Sequence, residues 1–436
     1  MPEIQYDKEA AYVQAALETL VTPLARSSGF VQRRSPLSAE RFVQMVVLAC
    51  LSEGEASLGD MVAVGDELGV AVSVPGLDQR IDDEAVVLLQ RVLQAAVAQA
   101  GSGMAAACPL FAAFAAVHLQ DSTYLSLPES LAAAWRGAGG NASPAGAKVW
   151  LSYEYCSGQI VGLEVGEGCR ADQACALAET VAQPGSLHLF DLGFFSQDHL
   201  AAWMDGGSCF VCRHQYQTAL YTLTGERLVL EAVLAACPDD QVELAVRLGM
   251  RAQLPVRLLC QRVPQEVADR RRAKAKAVAK RRGRTLSPTT LRLLDWNLFC
   301  TNVPSWSPAQ VCAVYHVRWQ VELLFKLFKS QAGLERIGDW RPARVLVQLY
   351  ARLIALVLAH RWLGPWRFAG RRELSLPKAF RLLQQTVPHL IAVIAQGWLG
   401  VADVLATLGR RCLRLALKDA RRQDPSTFDH LLALEV

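Results

Sequence analysis

The sequence lacks an uninterrupted apolar segment of the kind that crosses a membrane. Its most apolar long stretch, residues 345–363, is broken by Arg352, His360 and Arg361, whereas a spanning helix needs about 20 clean apolar residues. The N-terminal MPEIQYDKEAAYVQ is polar and carries acids, so it has neither the basic start nor the apolar core of a secretory signal. We therefore expect a buried helix at 345–363 and a cytoplasmic protein with no membrane partner.

The chain is also short of charged residues and shows no internal repeat. Charged residues make up 20% of it and hydrophobic residues 52%, a composition that indicates a folded, helix-rich protein and excludes a disordered one. At 436 residues the chain is long for one compact core. We therefore expect a catalytic domain with additional modules.

Two common ligand motifs are incomplete. The twelve cysteines are scattered, and only Cys209 and Cys212 have metal-ligand spacing, with no second CxxC or HxxxH at a zinc-like distance. The glycine-rich loop 137–147 lacks the GKS or GKT ending of a phosphate-binding loop. We therefore favour a strand around Cys209 over a zinc site, and a hairpin loop over a nucleotide site.

The first hundred residues are predicted to be helical, with segments near residues 9–26, 38–52, 57–69 and 83–100. Residues 57–93 have the short helix, turn and second helix of a helix-turn-helix. Gln79 and Arg80 are the side chains there that suit contacts to a base or a phosphate. A plain helical bundle fits the same pattern equally well.

After Pro109 the pattern changes to β-rich runs. Strands are predicted at residues 116–127, 148–156 and 159–166, then a helix at 171–183, a short strand ending at Asp191, a helix at 196–205 and a strand at 208–214. Three strands in a meander, followed by helix, strand, helix and strand, are typical of an RNase-H-like α/β domain.

The segment from about 216 to 304 is predicted to be a mostly β insertion in that core, with strands near residues 218–223, 227–234, 242–250 and 255–263. It contains residues 270–284, RRRAKAKAVAKRRGR, which hold nine Lys or Arg and no acid. Such a run indicates local anion binding. Its apolar periodicity is too weak for a buried helix, and a solvated loop is the alternative to a phosphate-tracking element.

Helices are predicted for the rest of the chain. Ser307-Pro308 provides an N-cap with proline at the first position, and it begins one long helix over residues 307–332. Further helices fill residues 342–363 and 376–419. The predicted fold is thus an α/β RNase-H-like catalytic core with a mostly β insertion, flanked by helical N-terminal and C-terminal regions.

The helix over residues 307–332 carries a polar stripe. Tyr315, Arg318, Glu322 and Lys329 fall on one side of a regular helix, and apolar residues form a separate face. An intrahelical ion pair between Arg318 and Glu322 on a solvated surface is the ordinary interpretation of such a stripe.

The spacing of these four residues carries more information than their types. Tyrosine, two residues, arginine, three residues, glutamate, six residues and lysine form the Tyr-Arg-Glu-Lys signature, and the chain resembles the insertion-sequence DDE transposases that carry it, an IS-four-like family. The blocks TNVP, RWQVELLFKLFK and FDLGFFS also resemble that family, over roughly residues 50–365. The resemblance implies Asp121, Asp191 and Glu322 as catalytic, metal-binding carboxylates.

Hard oxygen ligands of this type suit two Mg²⁺ (or Mn²⁺) ions about 4 Å apart. An RNase-H-like layout places the strands of Asp121 and Asp191 side by side and lays a helix across them, so we expect the three carboxylates to converge. His118 and His188 each precede a proposed ligand by three residues. A structural role in the core is the stronger interpretation of both histidines.

The resemblance also implies that Tyr315, Arg318 and Lys329 hold DNA phosphates beside the cut, with Lys326 able to assist. Trp296 is the candidate to hold an unstacked base if the reaction passes through a hairpin, although a core tryptophan is at least as consistent with its strand. The proposed DNA contacts from the basic run are Arg270, Arg271, Arg272, Lys280, Arg281 and Arg282.

The function implied is cut-and-paste transposition: metal-dependent cleavage at terminal inverted repeats and strand transfer into target DNA, by a homodimer on double-stranded DNA at the bacterial nucleoid. An RNase-H-like nuclease and an inactive, transposase-derived DNA-binding regulator are the alternatives. The expected segments are a helical DNA-end-binding region (1–105), the first part of the core (106–215), the insertion (216–304), the second part with Glu322 (305–365) and a helical C-terminal region (366–436).

Overall fold

The computed structural model describes residues 6–31, 36–99, 108–139, 143–177, 183–338, 341–369, 372–419 and 426–434. The chain forms two compact units, each assembled from separate stretches of sequence. The first unit comprises Met1–Ala107, Ser122–Ala171 and Gln320–Asp424, and the second comprises Cys108–Asp121, Asp172–Trp319 and Pro425–Val436.

The N-terminal helices of the first unit begin where the sequence supplies capping side chains. Ser38, Ser57, Ser73 and Asp82 each accept a hydrogen bond from a backbone N–H of the following first turn, which satisfies a donor that a helix start leaves unpaired. The helices are α1 (Tyr6–Gln14), a π-helical turn (Ala15–Thr19), α2 (Val21–Ser27), α3 (Ala39–Glu53), α4 (Leu58–Glu67), α5 (Val74–Gln79) and α6 (Asp83–Ala98). The four predicted helical segments are confirmed, and α5 is an additional short helix between the third and fourth of them.

The first unit also contains a three-stranded meander. The second half of β1 (Ala116–Leu127) neighbours β2 (Ala145–Glu154), and β2 pairs antiparallel with β3 (Gln159–Glu167). Gly158, at the β2–β3 turn, has a φ of 73°, a conformation that favours glycine. The three predicted strands are confirmed, whereas the loop predicted at 137–147 lies partly outside the described residues.

The second unit is built on a sheet that begins with three parallel strands. The first half of β1 pairs parallel with β4 (Ser186–Phe190), and β4 pairs parallel with β5 (Cys209–Arg213) after α7 (Gln197–Asp205). The strand order in this unit is β1-β4-β5-β10-β9-β8-β6-β7. In chain order, the meander β1-β2-β3 comes first, and the parallel strands β4 and β5 follow it. This is the RNase-H-like arrangement predicted from the sequence. The helix predicted over 171–183 lies partly outside the described residues, and its first part is a 3₁₀ turn, Asp172–Ala174.

The inserted segment combines strands and helices. Its strands are β6 (Leu220–Tyr221), β7 (Arg227–Leu228), β8 (Gln241–Leu248) and β9 (Leu254–Arg262), and β10 (Trp296–Thr301) pairs antiparallel with β9 and β5. Its helices are α8 (Leu230–Ala236), α9 (Gln265–Arg281) and α10 (Pro288–Leu293). The strand predicted over 227–234 was therefore wrong beyond Leu228. The basic run is a largely exposed helix, because alanine, lysine and arginine all have high helix propensity, and apolar periodicity alone did not indicate it.

The helix predicted over 307–332 is interrupted at Arg318. Helix α11 (Pro308–Val317) starts with the predicted Ser307 cap, which forms a capping box with Gln310, and α12 runs over Trp319–Gln331. The backbone N–H of Arg318 donates to Tyr315 O at 3.1 Å, an i→i−3 bond tighter than that of an α-helix. The prediction of one continuous helix was therefore wrong at this residue.

The first unit is completed by α13 (Pro342–Leu363), α14 (Leu376–Ala395) and α15 (Val401–Leu415), and the second by α16 (Thr427–Ala433). Among the described helices, Pro342–Trp366 is long and apolar enough to cross a membrane. However, 72% of its apolar window is buried, because α13 packs against α3 and α6. This is the arrangement of the core helix predicted at 345–363.

Candidate active site

Two of the three predicted carboxylates lie on neighbouring parallel strands of the second unit. The pairing of β1 with β4 runs to Gln120 opposite Phe190. Asp121 is the next residue of β1, and Asp191 directly follows β4 with an extended backbone. Strand neighbours in register are about 4.8 Å apart, and their side chains point to the same face of the sheet. Asp121 and Asp191 therefore lie side by side, and both are half-buried.

Arg318 holds one of these carboxylates. Its guanidinium donates from Nη1 to Asp121 Oδ2 at 3.0 Å, and the two side chains are only 12% and 18% exposed. A charge-assisted hydrogen bond in such partial burial is stronger than the same bond in water. The interruption between α11 and α12 thus coincides with the residue that contacts the acidic pair.

Tyr315 packs against the same group of residues. Its ring lies 4.9 Å from the ring of Phe299 and under the guanidiniums of Arg318 and Arg213, at 5.8 Å and 5.7 Å. Burial raises the pKa of Tyr315 to about 12, against the opposing effect of the two arginines. Within the described residues its buried hydroxyl has no hydrogen-bond partner. The phenol is therefore neutral at physiological pH and has an unused donor.

The remaining signature residues lie on α12, within the first unit. Glu322 is half-buried and Lys326 is exposed. Lys329 Nζ donates to Tyr124 O at 3.2 Å and pairs with Glu335 at 2.8 Å. Across the described ranges, no three His, Cys, Asp or Glu side chains come together as a ready metal-binding group, so the convergence of Asp121, Asp191 and Glu322 stays a prediction.

The basic helix α9 has two kinds of cation. Arg271 is half-buried and donates to Asn297 Oδ1 at 2.8 Å and to Trp296 O at 3.4 Å. Arg272 pairs with Asp269 at 2.7 Å and with Asp295. The fully exposed members of the predicted set are Arg270, Lys280, Arg281 and Arg282. Arg271 and Arg272 thus attach the helix to β10 and the residue before it, and the other four cations are exposed to solvent.

Two further predicted contact sites are occupied by packing interactions. Trp296 is 5% exposed and lies under the Arg262 guanidinium at 4.4 Å, which is the environment of a core tryptophan. Arg80 lies over the ring of Phe30 at 4.2 Å and donates to the carbonyl of Phe30. Gln79, at the end of α5, is exposed. The DNA-binding roles of these three residues stay predictions.

The paired histidines and cysteines have structural environments. His118 and His188 are buried, their rings stack at 5.2 Å, and His188 stacks on Trp203 at 4.2 Å. Cys212 is buried in β5, and all twelve cysteines have free thiols. This agrees with core histidines and with the strand predicted around Cys209.

Arg213 was missed by the sequence reasoning. Leu189 pairs with Val211 between β4 and β5, so Asp191 and Arg213, two residues further along each strand, are also in register. Arg213 is exposed at the carboxyl end of β5. The available signal was that it is the first charged residue after the apolar run of its strand, at the sheet edge that carries both aspartates.

A buried histidine of the second unit, His214, predicts that the protein loses folding stability in acid. His214, 3% exposed, contacts Cys300 Sγ at 3.8 Å through Nδ1, and burial lowers its pKa to about 4, against about 6.5 when unfolded. His214 therefore contributes stability that is present above pH about 6.5 and is lost, by about 2–3 kcal/mol, as the pH falls towards 4. We expect His214→Gln to flatten the fall of the melting temperature in that window. The exposed His389→Gln is the matched control, and equal pH profiles for wild type and His214→Gln would contradict the assignment.

The chain matches known proteins over most of its length. Residues 114–358 match the family model described as the transposase DDE domain. The chain is 25% identical to the transposase for insertion sequence element IS231C of Bacillus thuringiensis subsp. berliner, over 98% of this chain and 95% of that protein. It is 24% identical to the transposase for IS1151 of Clostridium perfringens, over 95% and 94% of the two chains.

Among solved structures, the piggyBac transposase synaptic complex with hairpin DNA aligns with 92% of this chain and 82% of that chain, at 11% identity and a TM-score of 0.46. The family match spans more than half of the chain, including the strands of both aspartates and the helix of Glu322. The chain therefore belongs to the transposase DDE domain family, as an insertion-sequence DDE transposase.

Proposed function

We propose that this transposase works by cut-and-paste: it cuts DNA at the terminal inverted repeats of its element and joins the freed 3′ ends to target DNA. The observation that carries the proposal is the adjacency of Asp121 and Asp191 at the ends of two parallel strands. A second support is that the relatives named above are insertion-sequence transposases matched over more than nine-tenths of both chains.

The donor set fits a divalent metal by its chemistry. Carboxylate oxygens are the ligands that Mg²⁺ and Mn²⁺ prefer, and we propose Asp121, Asp191 and Glu322 as the residues that hold two such ions. When bound, the ions would activate a water or a 3′-hydroxyl and stabilise the leaving oxygen. The Arg318 guanidinium, which bonds one oxygen of Asp121, orients that carboxylate within its strand.

We propose that the cations and the phenol near Asp121 and Asp191 bind the phosphates of the DNA. Tyr315 stays protonated because burial raises its pKa to about 12, so its unpartnered hydroxyl can donate to a phosphate oxygen. Arg318 presents a planar fork of donors that matches a phosphate. We propose the same role for Lys329, with Lys326 exposed on the same helix. Because two element ends must be joined, we also propose a homodimer on DNA, acting in the cytoplasm.

The exposed cations of α9 are proposed to follow the DNA backbone. Replacing Arg270, Lys280, Arg281 and Arg282 with glutamine should reduce the slope of log affinity against log salt by about 0.9 for each lost phosphate contact. Fluorescence anisotropy with a labelled duplex, at salt concentrations from 50 to about 300 mM, measures this slope. Arg227, an exposed arginine on β7 of the same unit, provides the matched single-substitution control. Equal slopes for the quadruple variant and wild type would remove α9 from the DNA interface.

The proposed function is tested by incubating the protein with Mg²⁺ and a plasmid that carries the element's own ends. We expect an excised linear fragment and joined products, both lost when EDTA replaces the metal. Cleavage without joining would instead identify a nuclease, and binding without cleavage in Mg²⁺ or Mn²⁺ would identify a DNA-binding regulator. A hairpin at the cut end would support a base-holding aromatic residue, and its absence would end that role for Trp296.

A further inference from the structure

Arg213 continues the polar row formed by the two aspartates. Gln120 pairs with Phe190 and Leu189 pairs with Val211. Extending these registers by one and two residues brings Asp121, Asp191 and Arg213 into one row, and side chains in register on parallel strands point to the same face. Arg213 also pairs with Phe299 across β5 and β10. The charge along this row is therefore negative at Asp121 and Asp191 and positive at Arg213, one strand further on.

Arg271 reaches the same face of the sheet from helix α9. It donates to Asn297 Oδ1 at 2.8 Å, and Asn297 lies two residues before Phe299 on β10. Residues two apart on a strand share a face. The contact to Asn297 therefore holds the Arg271 guanidinium within about two residue spacings of Arg213, roughly 7 Å along the strand.

The charges of Arg213 and Arg271 act on each other. Within the described residues neither Arg213 nor Arg271 forms an ion pair, and the acceptors of Arg271 are a neutral amide and a backbone carbonyl. Burial and then the positive charge of Arg213 lower the pKa of Arg271. Like charges held close without a counter-charge are unfavourable, so an anion bound between them would relieve the repulsion.

Tyr216 adds a neutral donor to this pair of cations. It is 40% exposed, and burial raises its pKa, against the effect of Arg271 and Arg213. Tyr216 follows Arg213 by three residues, where the chain leaves β5. We name Arg213, Tyr216 and Arg271 the cationic patch.

We propose that the cationic patch binds one phosphodiester group of the DNA strand that passes Asp191. Two planar guanidinium forks and a phenol match the oxygens of a single phosphate, and the patch begins one strand away from the aspartate. The inference rests on the proposed function, since the phosphate belongs to the DNA that is cut. It assigns binding to Arg213 and Tyr216, which lie outside the Tyr-Arg-Glu-Lys signature.

The test is the salt dependence of DNA binding by Arg213→Gln, Arg271→Gln and the double variant, measured by anisotropy in EDTA with a labelled duplex of the element's end. Each single variant should bind about tenfold more weakly, because a hydrogen bond to a charged group is lost. Because the arginine that remains still neutralises the shared phosphate, each single variant should keep the wild-type salt slope. The double variant should lower the slope by about 0.9, the value for one phosphate. Arg251→Gln, at an exposed position between β8 and β9, is the matched control and should leave both quantities unchanged.

Two results would overturn the shared site. Wild-type affinity in Arg213→Gln together with a wild-type slope in the double variant would show that no phosphate is bound there. Slopes lowered by about 0.9 in each single variant and by about 1.8 in the double variant would show two separate phosphates. Arg213 is exposed and, among the described residues, its guanidinium forms no hydrogen bond, so the affinity of Arg213→Gln for DNA tests the site without loss of folding. The metal-dependent cleavage assay on the same wild-type preparation separates the two hypotheses. Wild type that cleaves, with wild-type affinity in Arg213→Gln and an unchanged slope in the double variant, rejects the patch alone, whereas wild type that binds no DNA rejects both.

Discussion

Asp191→Ala should abolish strand cleavage at the element's ends while DNA binding survives. The carboxylate is proposed to hold the metal ions, which when bound would stabilise the negative charge that develops on the oxygens of the reacting phosphate. Loss of one group that supports such charge stabilisation costs a factor of at least about 10²–10³ in rate. DNA binding should be as tight or tighter, because the variant removes a negative charge from the surface that meets the phosphates. The measurement pairs a nicking and excision assay in Mg²⁺ with anisotropy in EDTA.

The same result is expected for Asp121 and Glu322, with one refinement. Asp121→Asn keeps an oxygen that can accept from Arg318 Nη1, so it removes the charge without leaving the guanidinium unpaired. Asp198, exposed on α7 of the same unit, provides the matched control, and Asp198→Ala should cut normally. A variant of any of the three proposed ligands that still cuts at the wild-type rate would remove that residue from the catalytic set.

Arg367→Met should destabilise the first unit by about 3–5 kcal/mol, because it leaves a buried carboxylate with an incomplete set of partners. Arg367 is 2% exposed, donates to Tyr153 Oη at 2.6 Å and pairs with Glu373 at 3.4 Å. Its guanidinium also lies 4.8 Å from the ring centroid of Tyr155. Within the part of the chain that the structure describes, Glu373, 4% exposed, would then keep the ion pair with Lys418 alone. Urea unfolding, followed by circular dichroism, measures the change in midpoint.

The double variant Arg367→Met/Glu373→Leu distinguishes charge burial from lost packing. Removing both charges of a buried pair is often close to neutral, whereas removing one is not. The double variant should therefore be more stable than Arg367→Met alone. A single variant within about 1 kcal/mol of wild type would show that the pair does not stabilise the unit.

The elements that carry the aspartates were accessible from the sequence because their signals are local. The strand 116–127 was predicted at its observed bounds, and the apolar run before Asp191 is fully buried, as expected of a central parallel strand. The Ser307 cap is likewise a local pattern of hydroxyl, proline and a hydrogen-bonding residue at the third helical position.

What the sequence could not indicate depends on contacts between distant residues. The interruption at Arg318 lies within a regular helical pattern, and its guanidinium bonds a residue 197 positions away. Arg213 is one of many arginines until the register of β4 and β5 places it beside Asp191. The assembly of each compact unit from stretches far apart in the chain has no local signature at all.

The separation of the two aspartates is set by the peptide backbone. Both residues directly follow paired positions of a parallel ladder, so the backbones that carry them are held apart by the interstrand repeat, which no side chain determines. Divergence that leaves only a quarter of positions identical to a relative can therefore reshape the termini, the insertion and the surface charges without altering that gap. The residues that recognise the DNA ends of the element can therefore change during evolution while the spacing of Asp121 and Asp191 stays the same.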